Sequence, residues 1–414
     1  MAAIGTDGAG RPLIDFDQHS LDYRNRWRQI CDFNLAHCPV ARTSANGGYW
    51  VVSGYAPLRE VLQDHRTFSS RWDLGLIRPA PAGISIPPGL YPKIPAELDP
   101  PEFFPLRRLI GQSLSPERSG RWEPYIRRAV AECLGRARDS GEIDLVLDLA
   151  SPLAAGAVMQ VVGFPLDGCA ELARAIHAVE FAEAGTLDFE RAATALADWG
   201  PVISSLIETR RREQAGDLIS RLANSVIDGE PIPAERIIGI CYLVLGSVDI
   251  TTGFIANALH WLHEFPDRRR ALIEDPGLVP GAVEELLRYH TPIHGLARTA
   301  TRDAELSGQH VRAGDRLWLH FAAANRDPVV FEDPDEVRLG RSPNRHASFG
   351  FGIHHCVGAP LARLQARVTL EMVLAHAPDY AIDLSGASRY ADIGKFNGFE
   401  KMPASFPPRC SDGY

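Results

Sequence analysis

The chain reads as mainly α with a small β portion, an α+β class, and three observations predict this. From about Pro116 to His290, apolar residues recur at three- and four-residue spacing, the period of helices that each bury one face. The segment "AELSGQHVRAGDRLWLHFA" (304–322) instead alternates around glycine-containing turns, as strands do. Nothing in the 414 residues repeats a strand-helix unit regularly, which argues against a parallel α/β sheet.

The elements follow in order. Residues 1–15 read as loosely ordered. "GGYWVVSGY" (47–55) then predicts a short strand and "APLREVLQDHRTFSS" (56–70) a return to helical spacing. Residues 79–95, "PAPAGISIPPGLYPKIP", are too rich in Pro and Gly for a regular element, and an irregular stretch of this length suits a lid over a site. The helical middle, the small sheet and a closing helix after Cys356 complete the chain. Length alone allows about two or three domains, but no repeat or long linker divides the sequence, so 1–414 reads as a single domain.

Composition narrows the function classes. With 45% hydrophobic and 23% charged residues, the chain has the make-up of a globular protein. Its net charge of -9 disfavours nucleic acid as a partner, since phosphate binding needs a basic face. The start, "MAAIGTDGAGRPLIDFDQHS", lacks the basic and apolar regions of a signal peptide. The most apolar stretches, 149–166 and 237–248, are interrupted by Gly, Ser or Pro and read as short of the ~20 residues of a membrane span. The expectation is therefore a cytoplasmic protein with no membrane contact. Seven cysteines, at 31, 38, 133, 169, 241, 356 and 410, are odd in number and form no CxxC pair, which fits reduced thiols.

The most specific stretch is "FGFGIHHCVGAPLAR" (349–363). Gly350, Gly352 and Gly358 allow tight or left-handed turns and a close backbone approach to a flat ligand. Pro360 suits a first helical turn, so Cys356 sits just before a helix N-terminus, whose unpaired N–H groups favour a thiolate. A single cysteine is most often a small buried hydrophobe. A zinc site would need ligands beyond His354 and His355, and a phosphate loop would need Gly where His355 stands. The ordered set of Phe349, glycines, His354 and Cys356 before a helix is more specific than any one part.

This loop resembles, without a gap, the haem-binding loop of the cytochrome P450 family of haem-thiolate monooxygenases. The resemblance implies the cytochrome P450 fold and one haem b. It further implies Cys356 as the axial thiolate and metal ligand, with Phe349 and Gly350 beside it and His354 reaching a haem propionate. A thiolate pushes electron density onto iron and favours O–O cleavage. Other stretches resemble the family more weakly, and the match spans most of the chain, most strongly from about Cys241 onward. Glu285 and Arg288 in "GAVEELLRYHTP", alone an ordinary surface pair, resemble its ExxR motif, completed as an ion network by Arg341; Glu284 reads as a surface residue. Arg107 in "DPPEFFPLRR" and Arg298 in "GLARTA" resemble propionate partners, while Phe103 stands where the family often has histidine. Arg107, Arg108, Arg127 and Arg128 are implied as part of a basic face for an acidic electron donor, against ordinary surface charge.

"LVLGSVDITTGFIANALHWLHEFP" resembles the family's long helix over the haem, where an acid is followed at once by a threonine that helps deliver protons. Here Asp249 is followed by Ile250, with Thr251 and Thr252 beyond. These are the candidate catalytic residues Asp249, Thr251 and Thr252, and the departure leaves no hydroxyl directly after the acid. The resemblance places the loop 76–94, Phe181, Val248, Ile250, Ile293, His294 and Phe399 near a distal pocket, although any core contains such residues; Arg71 or Arg78 would meet a substrate carboxylate if the lid folds inward. The expected function is insertion of one oxygen atom of O2 into a small hydrophobic organic substrate, by hydroxylation or oxidative dealkylation. A ferredoxin and its NAD(P)H-dependent reductase would act as separate electron donors. A haem-thiolate enzyme working with peroxide or without external electrons, a non-catalytic haem sensor and a zinc-thiolate protein are the alternatives.

Overall fold

The computed structural model describes residues 5, 6, 8, 10–73, 82–88, 92–181 and 186–406, excepting the side chains of 180 and 181. The chain, read above as one domain, forms two compact units, each assembled from segments far apart in sequence. The first comprises 1–110, 284–357 and 391–397; the second comprises 111–283, 358–390 and 398–414.

The first unit is organised by a seven-stranded sheet. Its order from edge to edge is Gly5–Thr6, Pro12–Leu13, Val40–Thr43, Tyr49–Val52, Arg316–His320, Gly295–Ala300 and Phe68–Ser69. Trp50, Val51 and Val52 are fully buried, and Tyr49–Val52 lies parallel to Arg316–His320 with Trp50 opposite Leu317. Two buried faces explain why "YWVV" shows no alternation. Gly295 is needed in its strand because a Cβ there would lie 2.3 Å from the Trp318 ring. Ala304–Leu306 and Gln309–Val311 form a separate hairpin.

The described parts of the expected lid, 82–88 and 92–95, carry no helix or strand and are pinned to this unit. The Arg316 guanidinium donates to the carbonyls of Ala82, Gly83 and Ser85. Glu97 accepts from the N–H groups of Ile84 (2.9 Å) and Lys93 (2.6 Å). Such backbone anchoring fixes an irregular segment without regular structure. Arg78 and residues 74–81 and 89–91 lie outside the described residues.

The second unit is helical around Val248–Glu264, which is buried on nearly every side, as a core helix is. Tyr380 donates to the Leu259 carbonyl at 2.6 Å, tying a connecting segment to it. Glu142–Asp144, Pro403–Ser405 and Ala381–Ile382 make a three-stranded sheet, and Ser388–Arg389 pairs with Phe399–Lys401. Ala359–His376 and Glu123–Ser140 are joined by four alternating charges: Glu123, Arg127, Glu371 and Arg367, with contacts of 2.6–2.9 Å.

One expectation needs correction. The helical runs Leu145–Val162 (18 residues) and Ala234–Glu264 (31 residues) are long and apolar enough to cross a membrane. The interrupting Gly, Ser and Pro do not break them, because a π-helical turn at Leu145–Ala150 and a tight turn at Gly246 and Ser247 carry the helical path onward. Within the protein, 78% and 50% of their apolar windows are buried.

Candidate active site

The first unit contributes the cysteine loop. Gly350 (φ 67°) and Gly352 (φ 70°) are both left-handed, whereas Gly358 (φ -84°) is not. A Cβ on Gly352 would stand 2.3 Å from the Leu62 carbonyl oxygen, so its close approach is to the helix Tyr55–Gln63; Gly350 faces open space. The Cys356 N–H donates to the Phe349 carbonyl at 2.8 Å, closing the loop and presenting the thiol at the surface of this unit. Four other cysteines, 31, 38, 133 and 241, are buried, and burial pushes their thiols up, to about 11 for Cys38 and about 12 for Cys241. Cys356 alone among the described cysteines is exposed. Cys410 lies outside the described residues.

Two arginines and a neutral histidine lie around this loop. His354 shares a 3.0 Å hydrogen bond with Ser70 Oγ, its ring lies 4.3 Å from that of Phe103, and burial and the charges of Arg298 and Arg107 push it down to about 3. Arg107 donates to the His355 carbonyl at 2.5 Å. Arg298 is 4% exposed and donates to the Ala297 carbonyl at 2.8 Å, with no ion pair among the described residues. Burial lowers its guanidinium to about 10, although Asp99 partly offsets the effect through space. A buried cation without a carboxylate is costly, and two arginines with a histidine beside an exposed thiol form a donor set for a group bearing carboxylates and a thiolate-seeking metal. The residues present thus fit a haem. Among the described residues, no three His, Cys, Asp or Glu side chains gather as a metal site, so the donor set differs from that of structural zinc.

Glu285 and Arg288, both fully buried, pair bidentately at 2.8 Å. Arg341 donates to both oxygens of Glu285 at 2.9 and 3.0 Å, and the Arg338 N–H and Asn344 add further donors. Burial would raise the Glu285 carboxyl, but these donors hold it below its ordinary value. Arg288 also donates to the carbonyls of Asn325, Pro334 and Glu336. Glu284, expected at the surface, is half-buried and meets His346 Nε2 at 3.2 Å.

His294 and Ile293 belong to the same unit. His294 is fully buried, with Nδ1 2.9 Å from Tyr23 Oη, its ring 4.6 Å from Trp27 and Nε2 unpartnered. Burial and Arg28 push it down to about 3. Half-buried Ile293 packs against a cluster containing Trp50 and Leu317.

The second unit contributes the acid-bearing helix. Asp249 is fully buried, with Oδ1 2.8 Å from His177 Nδ1 and Oδ2 unpartnered. Thr251 bonds back to the Ser247 carbonyl at 3.3 Å, whereas the buried Thr252 hydroxyl has no partner. Three residues apart, Thr252 and Asp249 share a helix face. Val248 is fully buried and Ile250 half-buried. Phe399 packs against His260 (5.0 Å) and under Arg389 (4.1 Å). The Phe181 side chain lies outside the described residues. Arg127 has its charge balanced by Glu123 and Glu371, which weakens its part in a basic face for an electron donor. Sequence reasoning missed His177, a lone histidine on the helix Cys169–Phe181 that gave no signal because its partner lies 72 positions away.

Comparison with known proteins agrees with this arrangement. Residues 273–376 match the family model described as Cytochrome P450. Cytochrome P450 130 of Mycobacterium tuberculosis is 34% identical over 396 residues, covering 93% of this chain and 94% of that one. Cytochrome P450 monooxygenase PikC of Streptomyces venezuelae is 32% identical over 349 residues, covering 83% and 82%. Among solved structures, CYP108D1 of Novosphingobium aromaticivorans superposes with a TM-score of 0.82 at 28% identity, covering 94% of this chain and 96% of that one.

Proposed function

The chain belongs to the cytochrome P450 family and is a haem-thiolate monooxygenase, and from that premise we propose the finer reading: it inserts one atom of O2 into a small hydrophobic organic substrate, by hydroxylation or oxidative dealkylation. Ferredoxin and a ferredoxin reductase, drawing on NAD(P)H, supply electrons as separate proteins, and the protein works in the cytoplasm. The haem is haem b. It supplies the redox centre at which O2 is activated. Cys356 holds it through sulfur, Arg298, Arg107 and His354 hold its carboxylates, and Phe349 and Gly350 flank the ligand loop. The network of Glu285, Arg288 and Arg341 fixes the segment that leads into that loop. The observation that carries this reading is Arg298, a buried guanidinium with a carbonyl but, among the described residues, no carboxylate for a partner.

On the substrate side, Val248, Ile250, Ile293, His294, Phe399 and Phe181 are the proposed pocket residues. Asp249, with Thr251 and Thr252, handles protons, and a substrate or solvent hydroxyl takes the place left by Ile250. An Ile250→Thr exchange therefore leaves product per reducing equivalent unchanged or raised; a severe loss contradicts this account of the position. Extraction of the cofactor as iron protoporphyrin IX, followed by a ligand screen on the haem spin state, tests the cofactor and identifies the substrate class. A second reading is favoured by the same Ile250: turnover with peroxide, or without external electrons. Product with ferredoxin, reductase and NAD(P)H supports the first reading, and product with peroxide alone supports the second.

A further inference from the structure

The strongest unexplained feature is the pair His177 and Asp249. Its geometry determines where protons sit. His177 Nε2 is 3.1 Å from the Glu400 carbonyl oxygen, which only accepts, so Nε2 carries a hydrogen and donates it. The second ring nitrogen, Nδ1, faces Asp249 Oδ1 at 2.8 Å. One mobile proton therefore lies between them, bound either as imidazolium and carboxylate or as imidazole and carboxylic acid.

Burial gives the pair a direction. Asp249 has no exposed surface, while His177 keeps 9% of its own. Asp249 Oδ2 is buried without a hydrogen-bond partner, an arrangement that a settled core avoids. A merely structural ion pair in a core has its remaining lone pairs satisfied, as Glu285 does. Thr252, one helical turn on, also has a buried, unpartnered hydroxyl.

We propose that His177 is a positioning and proton-feeding residue for Asp249, linking that enclosed carboxyl to solvent; this rests on the monooxygenase reading above. In the step, the Nδ1–H bond breaks as an O–H bond forms on Asp249. Asp249 then yields the proton inward from its unpartnered side, with Thr252 on the same helix face as a relay. The imidazole, part-exposed where Asp249 is not, then regains a proton from solvent in place of the one given up, and the pair is restored with no change of oxidation state.

The groups around His177 suit this role. Burial pulls the imidazole down, but the hydrogen bond and charge of Asp249, helped by Glu400, outweigh it and hold His177 above its ordinary value. The Tyr390 ring lies 5.9 Å away, and the Glu400 carboxylate accepts from Ser388 Oγ at 3.0 Å. The packed helix Ser151–Val162 brings no titratable side chain, and on Leu187–Ala197 Asp188 and Arg191 form an exposed pair beside the exposed Glu190.

The test uses the holoenzyme with a surrogate ferredoxin, its reductase and NAD(P)H, reading oxygen consumption against pH. His177→Gln keeps an N–H for Asp249 but has no transferable proton. Its consumption is expected to fall about tenfold or more, less than the ~100-fold low edge of direct general acid catalysis because His177 acts through Asp249, and to lose the decline expected of the wild type above the His177 titration. In the reduced, carbon monoxide-bound holoenzyme, nitrogen NMR of labelled histidine is expected to show His177 titrating above ~6.5, and below it in Asp249→Asn. An unchanged rate and pH profile in His177→Gln, with haem content intact, overturns the proposal, as does a His177 titration indifferent to Asp249. A wild-type protein that binds no haem overturns the monooxygenase reading instead.

Discussion

Arg288 and Arg298 lie ten positions apart in the same unit, and both are buried, yet they are used in opposite ways. Arg288 meets a fully buried carboxylate at two points and three backbone carbonyls besides. Arg298 has the carbonyl of its own neighbour, Ala297. The first is a finished network, whose loss leaves a buried charge stranded. The second is a cation whose counter-charge, on the proposed reading, belongs to the haem. Burial alone therefore does not separate the two arginines; completeness of pairing does.

The comparison breaks most visibly at Glu285. Glu285→Gln leaves Arg288 and Arg341 without their anion and is expected to cost about 3–5 kcal/mol, the usual penalty for breaking a buried pair. The urea unfolding midpoint should drop sharply, and haem should no longer be retained; an unchanged midpoint would remove the structural role. The acid behaves accordingly. Because the folded Glu285 titrates below its unfolded value of ~4.3, its stabilisation is full above that pH and lost as pH falls through the folded value.

Arg298→Gln sharpens the contrast. With no carboxylate to strand, apoprotein stability should change by less than about 1 kcal/mol, while haem retention weakens about ten- to a hundredfold, as a lost charged hydrogen bond of ~1.5–3 kcal/mol implies. Haem transfer to a scavenging globin measures the second quantity. Equal damage to stability and retention would make Arg298 a second Arg288.

His294 gives a smaller effect. Its folded value of about 3 lies below the unfolded ~6.5, so its neutral burial is without penalty above that pH and increasingly costly as pH falls below it. His320, also pushed well down by burial, adds to the same trend. Between pH 6 and 5 the slope should approach ~1.4 kcal/mol per pH unit for each such group, and His294→Gln should flatten it. The smallest effect belongs to the half-exposed quartet: Arg127→Ala is expected to cost at most ~1 kcal/mol, less at high salt.

What the sequence disclosed follows from how local each signal is. The cysteine loop and Glu285 with Arg288 were legible because residue type, spacing and an adjacent helix coincide within a few positions. Arg341 was reachable through the resemblance, since the network closes over 56 positions. His177 was not, because a single histidine on a helix looks the same whether it faces solvent or a buried acid. Arg316 was missed for a related reason: it holds the 82–88 segment through backbone carbonyls, which any sequence supplies. Gly352 was read as making room for a flat ligand, but its neighbour is Leu62, an approach that only packing reveals. The two long apolar helical runs were underestimated because their glycines and prolines sit where a π turn or a helix start absorbs them.

All of this depends on sulfur from Cys356 binding the haem iron. The most direct measurement is the absorption spectrum of the reduced holoprotein under carbon monoxide, wild type beside Cys356→Ser and Cys356→His. A strongly red-shifted Soret band in the wild type alone, replaced in both variants by an ordinary haem band or by loss of haem, is the predicted result. A wild type without that shift, or a variant that keeps it, contradicts the assignment.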